Sequence, residues 1–410
     1  MNRKPAKFAG AVIVLAVLCV LCGVKLFAAK EKDTGNHESS IAAVPGEKGG
    51  QDTYGPYELV KDWPKPLEKL SGHEKWTWGT VSGVFAESPD RVYILEQGEV
   101  PAMKRPETKP YGPSLEYPIP GLPFRRIGGE HVRDEMGLDR RWEHCLVVVN
   151  SSGDIVESWT QWDSMFKHPH AVFVNPYDPQ KNVWVVDDGK QAIFKFTHDG
   201  KELLQTIGTP GVEGSDATHF GRPTYLAWFP DGTMFLSDGY DNTRVVKFDK
   251  NGKYLMAWGQ KGTPPNETRP GYMNSVHGIV VDPVTRRVFV NDRANRRTQV
   301  FDENGKFLDE WSFGPYSSVF ATYMSADRHL WAADSITSKM LKYDLDGHFL
   351  YSWGSLGDWP GAIWGVHQIS VDQEGNLYVA EVSNGRAEKF RPRKGTNPDF
   401  VTGPPVRGAW

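Results

Sequence analysis

Cysteine is scarce, with three in 410 residues. That number excludes a disulfide framework. Two of the three, Cys19 and Cys22, fall in an apolar run near the N-terminus, which leaves Cys145 as the one thiol of the remaining chain. Positive charge is not in excess either. Lys and Arg total 47 against 51 acids, and residues 1–30 hold five of the cations and no acid. The rest therefore carries 42 cations against 51 anions, a net −9. An acidic body lacks the basic patches that binding to a nucleic-acid backbone requires, so no nucleic-acid partner is expected. Long helical periodicity is missing after residue 30. Low complexity is missing too, because Gly 42 and Pro 29 together make only about one residue in six. Fifteen Trp, 15 Tyr and 20 Phe exclude a disordered chain.

One long apolar run exists, from Phe8 to Val24, preceded by Arg3, Lys4 and Lys7. Positive charge stays on the cytoplasmic side, so the rest of the chain is expected to be exported, periplasmic or extracellular. Its 17 residues fit either a cleaved signal peptide or an uncleaved anchor that tethers the protein to a membrane. Residues 1–30 are assigned to this segment and 31–77 to a tether and lead-in, polar and Gly-rich through residue 55.

Beyond it the chain repeats itself. HAVFVNPYDPQKNVWVVDDGKQAIFKFTHDGKELLQTIG (170–208) is followed by related units at 224–259, 277–314, 322–354 and 367–395. Each has a strand of small and β-branched residues, a turn, a second strand such as VFVND, an acidic corner and a third strand. A D-x-x-G hairpin then leads to a strand that closes on Trp-Gly in two units (Trp258-Gly259 and Trp353-Gly354) and on Trp311 in a third. Four strands per repeat make a propeller blade. A further unit is split into 82–99 and 144–159 by an insertion, 100–143, expected to form a long loop over one face. The expectation is an all-β, six-bladed propeller over 78–395, with a tail at 396–410.

Aligned on the first residue of the innermost strand, the blades read Ser82, His170, Thr224, His277, Thr322 and His367. Histidine recurs on alternate blades, related by about 120° around a six-bladed ring. Three imidazoles at equal height on the channel axis form a metal site with an open fourth position, suited to zinc and also to other divalent transition metals. His168 is a possible substitute ligand. Tyr240 and Arg293 stand at the ends of second strands on neighbouring blades. A phenol beside a dication can serve as a general base, and a guanidinium can grip a carboxylate. Asp187, Asp238, Asp292, Asp334 and Glu381 recur at one repeat position, which favours a structural role.

The D-x-G and Trp-Gly pattern resembles the NHL-repeat propellers. The segments PHAVFV, SDGYDNTRVVKF, VHGIVVDP with NDRANRRTQVF, and VHQISVD are more narrowly similar to the peptidyl-α-hydroxyglycine α-amidating lyase family. That resemblance covers 160–395 well and 78–160 poorly. It implies a zinc lyase that cleaves a C–N bond to release an amide and glyoxylate, with His170, His277 and His367 as ligands and Tyr240 and Arg293 in the site. Three positions depart from the family pattern. Gln97 aligns with a substrate-binding arginine, for which Arg125, Arg126 or Arg133 of the insertion would have to substitute. Gln368 replaces an aspartate that helps hold a structural calcium, which makes calcium doubtful because an amide binds it less strongly. Asp241 replaces a disulfide cysteine.

The expected function is thus a metal-dependent lyase acting on a small or peptide substrate that bears a carboxylate or amide. The competing readings are a non-enzymatic binding scaffold and a propeller hydrolase or lactonase. A lactonase's usual calcium would need an acidic channel. Nothing in the sequence points to a particular protein partner.

Overall fold

The computed structural model describes residues 53–102 and 140–406. The export segment, most of the tether, the insertion arginines Arg125, Arg126 and Arg133, and the last four residues lie outside the described residues.

Short strands follow from short runs of β-branched and aromatic residues cut by Asp-Gly and Asn-Gly turns. In the D-x-x-G hairpins the aspartate makes the turn itself. Asp249 Oδ1 accepts from the amides of Asn251 and Lys253, both at 2.9 Å, and Gly252 takes a left-handed φ of 79°. Asp302 and Asp344 repeat the arrangement.

Among the described residues these strands form six four-stranded antiparallel sheets. Their innermost strands are Val81–Ser88, Pro169–Val174, Pro223–Trp228, Val276–Asp282, Val319–Met324 and Val366–Val371, for blades one to six. The split unit is one blade, as expected. Arg91–Glu96 pairs with Leu146–Val149, so the insertion leaves and re-enters the same sheet.

Two departures from expectation arise. The outer strand of blade six is Tyr57–Leu59, from the lead-in, paired antiparallel with Arg386–Pro392. The first part of the described chain thus closes the ring on the last blade. The register of blade five also differs. The corner acids pair with the residue before the innermost position: Glu96 with Val81, Asp187 with Pro169, Asp238 with Pro223, Asp292 with Val276, Asp334 with Val319 and Glu381 with Val366. The fifth-blade equivalent of Ser82 and Thr224 is therefore Phe320, two residues before Thr322.

The corner acids are structural, as read. Each accepts a backbone N–H from the loop entering its own blade: Gly79 on Glu96, Lys167 and His168 on Asp187, Gly221 on Asp238, Asn274 on Asp292, Ser318 on Asp334 and Trp364 on Glu381. The blade-closing tryptophans pack on hairpin glycines of the next blade. A Cβ on Gly305 would sit 2.7 Å from the Trp258 ring, and one on Gly347 would sit 2.6 Å from Trp311. This explains the pairing of a closing Trp with the D-x-x-G hairpin of the next repeat: the glycine supplies both the positive φ and the space for the indole.

Candidate metal centre

The inner strands bring His170, His277 and His367 to a common centre. Their ring centroids are 4.9, 4.5 and 4.8 Å apart, and ligand-capable atoms of all three lie within 4.8 Å of one another. All three are buried. Each Nδ1 is held by a backbone carbonyl of the next blade: His170 by Thr224 at 3.0 Å, His277 by Phe320 at 2.5 Å and His367 by Ser82 at 2.7 Å. A carbonyl can only accept, so each Nδ1 carries the proton and each Nε2 presents a lone pair. This is the tautomer a metal requires, fixed from behind by the fold. Burial keeps the His170 imidazole well below its ordinary range, with the nearby His367 and His277 adding to the effect. Burial does the same to His277, with Arg293 adding to it.

The alternation of histidine with other residues has a physical cause. Blades two, four and six present the imidazoles, and blades three, five and one present the carbonyls that orient them. The side chain on blade five need only leave its backbone in place, so Phe320 serves as well as a small residue.

Tyr240 completes the group. Its hydroxyl lies 3.1 Å from His170 Nε2 and 2.9 Å from His277 Nε2, and the residue is half-buried. Arg293 lies with its guanidinium carbon 5.0 Å from the Tyr240 ring centroid and 4.9 Å from that of Phe320. Arg222, which the sequence reading did not single out, has its guanidinium carbon 4.3 Å from the same Tyr240 ring. It also donates to Asp188 from Nε at 2.9 Å and Nη2 at 2.6 Å. Two cations therefore flank the phenol. The available signal was position: Arg222 directly precedes an innermost strand, beside the corner that carries Tyr240.

His168 is not part of the triad. Its Nδ1 bonds the other oxygen of Asp188, placing it behind Arg222. Gln97 directly follows its corner acid, the position that Arg293 has in blade four. It is buried, and its amide lies at 3.5 Å from the Pro169 carbonyl. Gln368 places its amide nitrogen 2.6 Å from the Val172 carbonyl and accepts from the Val172 amide at 3.2 Å, linking blades six and two. Gly83 lies between them, where a Cβ would come within 2.9 Å of Gln368 Oε1.

Tyr225 lies beneath the triad. Its hydroxyl donates to the His367 carbonyl, and burial pushes its pKa well above the ordinary value. It also lines an apolar cavity with Phe173, Ile279 and Tyr323.

No protein-family model matches the chain. It is 29% identical over 292 residues to peptidyl-glycine alpha-amidating monooxygenase A of Xenopus laevis, covering 65% of this chain and 30% of that protein. The chain thus spans about a third of the length of that relative. It is 27% identical over 274 residues to peptidyl-alpha-hydroxyglycine alpha-amidating lyase 1 of Drosophila melanogaster, covering 62% and 49%. It is 28% identical over 275 residues to NHL repeat-containing protein 3 of Mus musculus, covering 62% and 75%. Among solved structures, a protein of unknown function from Bacteroides thetaiotaomicron matches with a TM-score of 0.51 at 13% identity, covering 86% of this chain and 75% of that one, which bears on the fold alone. The chain is a six-bladed β-propeller whose homologues include amidating lyases and NHL-repeat proteins, and its likeness to the lyases supports a lyase-like propeller.

Proposed function

We propose that this protein is a metal-dependent lyase that cleaves the C–N bond of a hydroxyglycine-type substrate, releasing an amide and glyoxylate. The observation that carries the reading is the Tyr240 hydroxyl set among imidazoles whose Nε2 lone pairs are fixed by backbone carbonyls. The three histidines fit a divalent metal, with zinc first, and such an ion would supply a Lewis acid to the substrate's oxygens. The likeness to amidating lyases supports the reaction class.

The chain's own groups account for the remaining chemistry. Arg293 and Arg222 flank the phenol and hold the substrate carboxylate. Tyr240, ionised, takes the proton of the carbinol hydroxyl. The carbinol oxygen becomes the glyoxylate carbonyl as the C–N bond breaks. Its electron pair passes to the amide nitrogen, which takes up the proton that Tyr240 accepted and so returns Tyr240 to its ionised form. Arg222 supplies a cation that Gln97 does not.

The test is glyoxylate release from a peptidyl-α-hydroxyglycine by the purified full chain and by Tyr240→Phe. The variant is expected to keep its metal and lose turnover by roughly 10²–10⁴-fold, the usual worth of a positioned base. Turnover in Tyr240→Phe equal to wild type would overturn the assignment of the base. A second reading, a binding scaffold without turnover, is favoured by Gln97 at the position of the expected arginine and by the likeness to NHL repeat-containing protein 3. Metal bound at the triad, with no glyoxylate from any hydroxyglycine tried, would favour it.

A further inference from the structure

A second group of metal-capable side chains lies at the root of the insertion. His73, Glu99, Glu143 and His144 bring one ligand atom each within 4.8 Å of one another. Glu99 is fully buried and bonds both imidazoles, with Oε2 at 2.8 Å from His73 Nδ1 and Oε1 at 2.6 Å from His144 Nδ1. The rings stand edge to face, 4.5 Å between centroids, and each side chain is about nine-tenths buried. A carboxylate on Nδ1 fixes the tautomer and leaves Nε2 as the ligand atom, an arrangement recurrent around metal-bound histidines.

His73 Nε2 faces Glu143 Oε2 at 3.8 Å. That is too long for a hydrogen bond. It is a few tenths of an ångström above the ~3.4 Å that separates two ligands on a tetrahedral ion with bonds of about 2.05 Å. Glu143 also pairs with Arg141, which a bound cation would displace. His144 takes a left-handed φ of 57°, uncommon for any residue but glycine. It is held there by Asp163, which accepts the amides of His144 and Cys145 at 3.0 Å each. His73, Glu143 and His144 line one cleft with Trp142, Thr160 and Ser164.

We propose that His73, His144 and Glu143, oriented by Glu99, bind one divalent transition-metal ion that clasps the root of the insertion. Glu99 precedes the insertion segment 100–143, Glu143 and His144 end and follow it, and His73 belongs to the lead-in. A single ion would therefore join the lead-in to the end of the insertion, with Glu99 at its start held to both imidazoles by hydrogen bonds. Two carboxylates balance its charge, so this site is electrically quiet. The histidine triad, by contrast, has neutral ligands and leaves a metal's charge for an anionic substrate.

The test is zinc content per chain after chelator stripping and re-equilibration with zinc alone, using the full chain. Wild type is expected to hold two zinc ions. His144→Asn, which tolerates the left-handed backbone, and Glu143→Gln, which alters a half-exposed side chain, are each expected to hold one at the same free zinc. Glu99→Gln is expected to weaken the same site by about 10–100-fold, the usual effect of losing such a carboxylate. His277→Ala should lose the other ion, so failure of either site is read separately. Full zinc retention in both folded variants, His144→Asn and Glu143→Gln, would overturn the proposal.

Discussion

Tyr57 is where ring closure can be tested most sharply. Its ring is fully buried, 5.5 Å from the Trp353 centroid and 6.4 Å from that of Phe390. Its hydroxyl accepts the Thr402 amide at 2.7 Å. One side chain thus joins the closing strand, blades five and six, and the tail. Two substitutions divide its contribution. Tyr57→Phe keeps the packing and leaves a buried N–H without an acceptor, at a cost of about 1–3 kcal/mol. Tyr57→Ala also removes the ring and leaves a cavity, for a total of about 3–5 kcal/mol. Urea unfolding followed by tryptophan fluorescence measures both, and Trp353 lies beside the substitution. The expected order is wild type, then Phe, then Ala. A Tyr57→Ala variant within 0.5 kcal/mol of wild type would show that Tyr57–Leu59 does not close the ring in solution.

Two further outcomes follow from individual residues. Arg222→Ala should raise the KM for a carboxylate-bearing substrate by roughly 10–100-fold, the worth of a charged hydrogen bond, and leave an amide-capped analogue unaffected; equal effects on the two in steady-state assays would remove Arg222 from carboxylate binding. Glu388 has its pKa raised to about 9, by burial first and by the neighbouring Glu381 second. A carboxyl raised on folding contributes stability that is complete below its unfolded value and is lost as pH rises toward 9. Glu388→Gln should therefore raise Tm relative to wild type at pH 8–9 and change it little near pH 4; a pH-independent difference would contradict this.

Local features carried most of the fold in the sequence. The D-x-x-G turns, the corner acids and the closing tryptophans act within a blade or between adjacent blades, so they recur from repeat to repeat. The three histidines were legible for the same reason, because one strand position recurs and the ring converts recurrence into convergence. Other features depend on distant pairing. The closing strand has three residues and pairs Leu59 with Phe390, a contact that no local pattern announces. In blade five the pairing shifts between Val319 and Ala321, and Thr322 resembles Thr224 closely enough to be mistaken for its equivalent. Arg222 could be assigned only once its place over the Tyr240 ring was visible. The cluster at His73 draws on the lead-in, the insertion and the two ends of the split blade, at positions that no other repeat shares.

The central claim is that the three axial imidazoles hold a metal. It is tested most directly by a crystal structure of the zinc-loaded full chain, with diffraction recorded on both sides of the zinc absorption edge. The expected result is an anomalous peak on the channel axis, about 2.0–2.1 Å from Nε2 of His170, His277 and His367. A fully zinc-loaded crystal with no peak there, and with the three imidazoles turned away from a common centre, would contradict it.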